Sequence, residues 1–347
     1  MPELDEARAA QELGLGPEHV DWLSALAAVE MLGDHAPLLD NAVAEERLRW
    51  LGLAEVDRRE IHALWRSIDG RPAVEWLLAR AVARQRQLVG QIDGEGGPWL
   101  PLPVRWGALA RCFWVLVFLA TIDDVRKWHA ARGVPDDVSQ ATLADLGRHL
   151  RLYRRRTGQV GLDVPWWIDL HVRGALFALG RLQFNSYRLL SGPGGPLFWY
   201  DAAEQQARGP GWRAGDRVLG VHIPESGPLD PAACEASFGW AGTFFAQHLP
   251  EYAADVATCT SWLLDDQLAS YLPASSNIMR FQQRFEVVPG ARDDDGGICH
   301  FVFGRSPQTL GEVVPRTRLE RAIVDHLAAG QHWHMRTGWL RLSARSG

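Results

Sequence analysis

Read as a string of apolar and polar positions, the chain changes character near its middle. From about residue 17 to 90 the apolar side chains recur at helical spacing. Val20, Leu23, Leu26 and Ala27 follow Pro17, and Leu32-Gly33 closes that pattern. Ile61, Leu64, Trp65 and Ile68 repeat it, as do Val74, Leu77, Leu78 and Val82 beyond the break at Asp69-Gly70-Arg71-Pro72. After a glycine and proline stretch at 94–103, the pattern predicts an apolar helix over 107–122 and a further helix over 138–156. The second ends in Arg154, Arg155 and Arg156, which suit the negative end of a helix dipole without any ligand.

Past Val164-Pro165-Trp166-Trp167 the chain turns to short runs of strand character, at 176–187, 218–223, 258–264, 285–288 and 298–303. Helices with clear start signals lie between them. Asp230 is placed to cap one, with Pro231 at its first position and Cys234, Phe238, Ala241 and Phe245 along one face. Ser275 or Ser276 caps the next, with Ile278, Phe281 and Phe285 inward. Thr317 and Glu320 form a capping box ahead of Ile323 and Leu327, and Gly330 ends that helix. A helical domain over 1–170 therefore precedes an α+β domain over 171–347, whose sheet is mixed, mainly antiparallel and flanked by helices.

Composition narrows the classes. With 347 residues, 47% of them hydrophobic and 22% charged, the chain is long enough for two packed cores and is neither disordered nor a disulfide scaffold. A net charge of -6 argues against a nucleic-acid partner, because phosphate binding calls for a basic excess. The four cysteines Cys112, Cys234, Cys259 and Cys299 form no CxxC pair and read as free thiols in a reducing cytoplasm. The N-terminal stretch has no apolar signal core, and the run at 112–122 falls short of the roughly 20 residues a membrane helix needs, so no membrane partner is expected. Lys127 is the single lysine, which excludes a GxxxxGK[ST] phosphate loop and argues against imine chemistry. Sixteen tryptophans suit a flat, apolar substrate, and core packing uses them equally well.

Most catalytic signatures are absent. There is no GxSxG elbow and no HExxH; His332-Trp333-His334 lacks a third ligand and reads as a polar terminal loop, so no metal is expected. His35 and Asp40 match a short signature of membrane phospholipid acyltransferases, without the membrane segment that goes with it. The stretch 206–211 fits the Q/RxxGxG pattern that cradles a pyrophosphate, but a turn into a strand follows it where a helix is required. The better location is downstream. A strand at 218–223 leads through Pro224-Glu225-Ser226-Gly227-Pro228-Leu229 to a helix at Asp230, the arrangement an acyl-CoA site needs. Against it, the two prolines remove N–H donors and Asp230 repels phosphate; an ordinary βα loop fits the same pattern.

On this reading Ile223, Pro224, Ser226, Gly227 and Leu229 would hold the cofactor. His222 at the strand end would take a proton from an attacking amine or hydroxyl, or serve as a hydrogen-bonded structural residue. Cys259 and Ser261 share one face of the next strand; one of them donates to the leaving thiolate, or both pack. The loop 191–215 carries Phe198, Trp199, Tyr200 and Trp212, and is expected either to close over the acceptor or to lie as a surface flap.

Several blocks in order carry a family likeness: Gly180-Arg181-Leu182-Gln183-Phe184, His222-Ile223-Pro224, Ser261-Trp262-Leu263-Leu264, Ser276-Asn277-Ile278 with Phe281 and Phe285, and Thr317-Arg318-Leu319-Glu320-Arg321-Ala322. Over nearly its whole length the chain resembles an acyltransferase-like family that joins a helical N-acyltransferase N-terminal domain to a GNAT-like C-terminal domain. The resemblance implies acyl-CoA or acetyl-CoA as donor, with Asn277 touching coenzyme A, Trp262 near the acceptor, and a splayed pair of strands with His222 and Ser261 facing the thioester between them. No tyrosine stands where Phe281 or Arg284 would align with the usual general acid of that fold. The expected reaction is direct attack by an amine or hydroxyl of a small molecule on an acyl thioester, carried by coenzyme A or a carrier protein. The competing class is a non-catalytic binding or regulatory protein that keeps the fold.

Overall fold

The structure is a computed structural model that describes residues 5–31, 41–94, 96–97, 99–189, 215–288 and 290–342. The His35 and Asp40 pair, the 206–211 stretch and the aromatics Phe198, Trp199, Tyr200 and Trp212 lie outside the described residues. The chain divides into two compact units between Phe177 and Ala178.

Among the described residues the first unit contains α1 (Glu6–Leu13), α2 (Val20–Ala27), α3 (Asn41–Trp50), α4 (Glu55–Arg66), α5 (Pro72–Leu88), α6 (Ala108–Ala131), α7 (Asp136–Leu143), α8 (Asp145–Thr157) and α9 (Pro165–Val172). Helix α6 is the axis of this unit. Every residue over 115–122 is buried, so the helix is enclosed on all sides. It outlasts the apolar run because Val125 and His129 keep the inward stripe going. No helix among the described residues is long and apolar enough to cross a membrane.

The helix predicted over 138–156 is in fact two, α7 and α8, which meet around Ala144. Asp145 opens α8 with its carboxylate turned into the protein, where it accepts from Arg148 Nε at 2.7 Å. Its Oδ2 lies 3.3 Å from Nε2 of both His149 and His171. Nearby the backbone of Gly147 donates to the Leu51 carbonyl at 2.9 Å. A Cβ on Gly147 would stand 2.0 Å from the Gly52 oxygen, so only glycine permits this crossing. At the other end of α8, Arg154 donates to Asp57 at 2.6 Å and to Glu60 at 2.9 Å, so acids of α4 occupy that basic turn.

Among the described residues the second unit is built on a sheet of seven strands: β1 (Leu176–Leu179), β2 (Leu182–Arg188), β3 (Arg217–His222), β4 (Val256–Ser261), β5 (Glu286–Val287), β6 (Arg292–Asp293) and β7 (His334–Arg341). The order is β1-β2-β3-β4-β7-β5, with β6 also on β7. Pairing is antiparallel for β2 with β3 and for β7 with β4, β5 and β6; β3 and β4 run parallel. The helices among the described residues are α10 (Pro231–His248), α11 (Asn277–Gln282), α12 (Asp295–Phe303) and α13 (Arg318–Ala328). Three expected caps form: Asp230 on Ala233 N, Ser276 on Met279 N, and the reciprocal Thr317–Glu320 box.

Four expectations change in this unit. The run 176–187 is two strands, because Gly180 turns the chain at φ 73°. The strand at 258–264 begins earlier and stops at Ser261, whose hydroxyl accepts from Leu263 N and starts a 3₁₀ turn over Trp262–Leu264. The run 298–303 lies in helix α12, not a strand, since six residues, five of them apolar, fit either period and the fold decides. His332-Trp333-His334 is no polar terminal loop: Trp333 is fully buried and His334 opens β7.

Candidate active site

The two faces of the sheet differ in chemistry. On one, Phe184 of β2 meets Phe238 of α10, which in turn packs against Phe281 and Phe285 around α11. Residues alternate along each strand, and paired residues share a face, so the registers sort the other positions. Gln183, Asn185 and Tyr187 of β2 fall with Gly220 and His222 of β3, Thr258 and Thr260 of β4, and Thr337 of β7, all on the opposite face.

On that face the polar groups meet one another. His222 Nε2 lies 2.7 Å from Asn185 Oδ1. An amide oxygen only accepts, so Nε2–H donates and Nδ1 carries the ring's basic lone pair. The Tyr187 and Thr258 hydroxyls hydrogen-bond to each other, as do those of Thr260 and Thr337 at 2.9 Å. Burial pushes the Tyr187 phenol above its ordinary range, and its bond to Thr258 offsets this only in part. Gly220 makes the cluster possible. A Cβ there would stand 2.3 Å from Asn185 Oδ1 and 3.2 Å from His222 Nε2.

Strands β3 and β4 share only two paired positions, Leu219 with Ala257 and Gly220 with Thr258. Past them β3 continues to His222 and β4 to Ser261, each still paired with its outer neighbour. The strands therefore part beside His222. The loop that leaves β3 is held by Arg181, which donates to the carbonyls of Pro224 at 3.1 Å, Gly227 at 2.7 Å and Pro228 at 2.8 Å. The backbone N–H of Arg181 is itself fixed by Ser237 Oγ at 2.8 Å, which ties β2, the loop and α10 together.

The structure does not bring Ser261 or Cys259 to His222. Both lie on the face opposite to it by register. Cys259 is buried and its thiol is pushed up to about 12, while the Ser261 hydroxyl caps the turn that follows it. Ile223 and Pro224 are half-buried, Ser226 and Gly227 exposed and Leu229 buried along the Arg181-held loop. Asn277 is half-buried at the start of α11, and Trp262 is buried in the 3₁₀ turn. Asn185, Tyr187, Thr258 and Gly220 escaped the sequence reading. Their signal was present as period-two polar residues in Leu182-Gln183-Phe184-Asn185-Ser186-Tyr187 and Thr258-Cys259-Thr260. No group of His, Cys, Asp and Glu able to hold a metal occurs among the described residues.

The family model of an N-acyltransferase N-terminal domain matches residues 42–174, and that of a GNAT-like C-terminal domain matches 176–340. No curated protein matches the chain. Among solved structures, an acyltransferase in complex with decanoyl-CoA and teicoplanin is 38% identical, with a TM-score of 0.84 over 98% of this chain and 100% of that one. An acyltransferase in complex with decanoyl-CoA is 37% identical with a TM-score of 0.83, and one in complex with CoA and 10C-teicoplanin is 38% identical with 0.82, each over 98% of this chain and 100% of the other. With both halves matched and whole-chain likeness at this level, the chain belongs to the acyltransferase family that joins an N-acyltransferase N-terminal domain to a GNAT-like C-terminal domain.

Proposed function

We propose that this enzyme moves a fatty acyl group from acyl-CoA to an amine or hydroxyl of a small molecule of the teicoplanin kind, by direct attack in the sheet domain. The observation that carries this reading is the parting of β3 and β4 immediately beside His222, in a chain similar throughout to acyltransferases crystallised with decanoyl-CoA and teicoplanin. The thioester enters between the strands. Backbone N–H groups that a continuous ladder would have used polarise its carbonyl. His222 Nδ1, directed by the bond from Nε2–H to Asn185, takes the proton of the attacking group. The Arg181-held loop and Asn277 flank the coenzyme.

The test is direct. Decanoyl-CoA and acetyl-CoA are titrated calorimetrically, and CoA release from decanoyl-CoA is followed with teicoplanin as acceptor. Binding of decanoyl-CoA and acceptor-dependent thiol release are expected. Failure of every acyl-CoA to bind would leave a protein that keeps the fold without its chemistry.

A further inference from the structure

We propose that Gln183 receives the second hydrogen of an acceptor amine, so that Gln183 and His222 together select amines over hydroxyls; this rests on the acyl-transfer reading above. Gln183 and His222 are direct partners in the β2–β3 register and share the polar face. Gln183 is 3% exposed, and its Oε1 is a buried oxygen with no hydrogen-bond partner among the described residues. Buried acceptors are ordinarily satisfied, and leaving one empty costs free energy that a ligand's donor recovers. Its neighbours along the strand, Asn185 and Tyr187, have partners already, in His222 and Thr258. Gln183 Oε1, on the residue paired with His222, has none among the described residues.

The chemistry of acyl transfer supplies the missing donor. A neutral primary amine attacks the thioester carbonyl carbon through its lone pair. The N–C bond forms, the C–S bond breaks, and sulfur departs with the bonding pair as the CoA thiolate. The nitrogen then carries one hydrogen too many. That proton goes to His222 Nδ1, and the hydrogen that stays on the new amide points to Gln183 Oε1. A hydroxyl has one hydrogen only. It satisfies His222 and leaves Gln183 empty, a loss on the order of 10-fold to 10²-fold in rate.

The experiment compares wild type, Gln183→Met and Gln183→Glu with decanoyl-CoA and teicoplanin. Adducts are treated with mild hydroxylamine, which cleaves esters and spares amides. Wild type is expected to give a hydroxylamine-resistant adduct. Gln183→Met should lower kcat/KM for the acceptor about tenfold or more, with KM for decanoyl-CoA and Tm unchanged. Gln183→Glu keeps the oxygen and should retain amide formation within a few-fold. Wild-type acceptor kinetics in Gln183→Met, or loss of amide formation in Gln183→Glu with decanoyl-CoA binding intact, overturns the role of Gln183 alone. A labile wild-type adduct overturns amine selection but leaves acyl transfer standing. Absence of any transfer by wild type overturns both.

Discussion

Gly220 and Thr258 are the last paired positions between β3 and β4, and both strands run on past them. Two side-chain pairs flank that point on one face, His222 with Asn185 and Tyr187 with Thr258. Beyond that point the two strands no longer pair with each other, so the backbone groups on their facing edges need other partners.

Replacing His222 by alanine should lower turnover about 10²–10⁴-fold if its imidazole is the general base. Folding should survive, since the ring is half-buried at a strand end. Steady-state CoA release together with a melting curve checks both. A folded variant with wild-type turnover removes His222 from the mechanism.

The thiols should behave as packing groups. Burial pushes Cys112 and Cys259 up to about 12 and Cys299 to about 11, and raises Cys234 as well. Native protein is expected to react slowly with Ellman's reagent, and denatured protein to show all four thiols at once. Cys259→Ala should keep transfer within a few-fold of wild type. A large loss without a change in Tm would restore a chemical role to that sulfur.

Gly147→Ala should destabilise the helical unit by about 1–3 kcal/mol, because the added methyl has no room beside backbone. The nearest atom is the Gly52 oxygen at 2.0 Å, which cannot swing aside as a flexible side chain does. Denaturant unfolding would read the change. An unaltered midpoint would mean that α8 shifts freely against the turn at Gly52.

Acid should weaken the fold before the carboxylates titrate. Burial pulls His129 from 6.5 down to about 4, with Nδ1 on Ser139 Oγ at 2.8 Å and Nε2 enclosed without a hydrogen-bond partner. The unfolded chain takes up this proton below about pH 6.5 and the folded chain only near pH 4. Stability is therefore lost as pH falls through that window, by at most about 3 kcal/mol. Tm measured from pH 7 to 4 should fall more steeply in wild type than in His129→Asn. Parallel curves would show that the ring protonates in place.

The caps at Asp230, Ser276 and Thr317 were legible because capping is decided within four residues of chain. The helical first half was legible from its period, and α7 and α8 merged only because the turn at Ala144 carries neither Gly nor Pro. His222 stands out in the sequence because a histidine at a strand end is conspicuous. Its partners were not, although their alternation was written in the sequence, because which strands neighbour one another depends on residues far apart. Ser261 went to the wrong side for the same reason. Alternation places it with Cys259, but only the β3–β4 register says which face His222 takes. The 298–303 segment failed on length, since so short an apolar run satisfies helix and strand alike.

Strand β7 lies inside the sheet, between β4 and β5, although it is the last of the seven along the chain. Thr260 and Thr337, which touch across β4 and β7, are 77 positions apart. During synthesis β4 therefore leaves the ribosome long before its neighbour exists. Until then its outer edge is an open template for any passing strand. Closing so long a loop is slow compared with forming a hairpin. Chains halted before residue 334 should accordingly aggregate through β4, and a chaperone that shields this edge should raise the yield of native enzyme more than one that acts on the helical half.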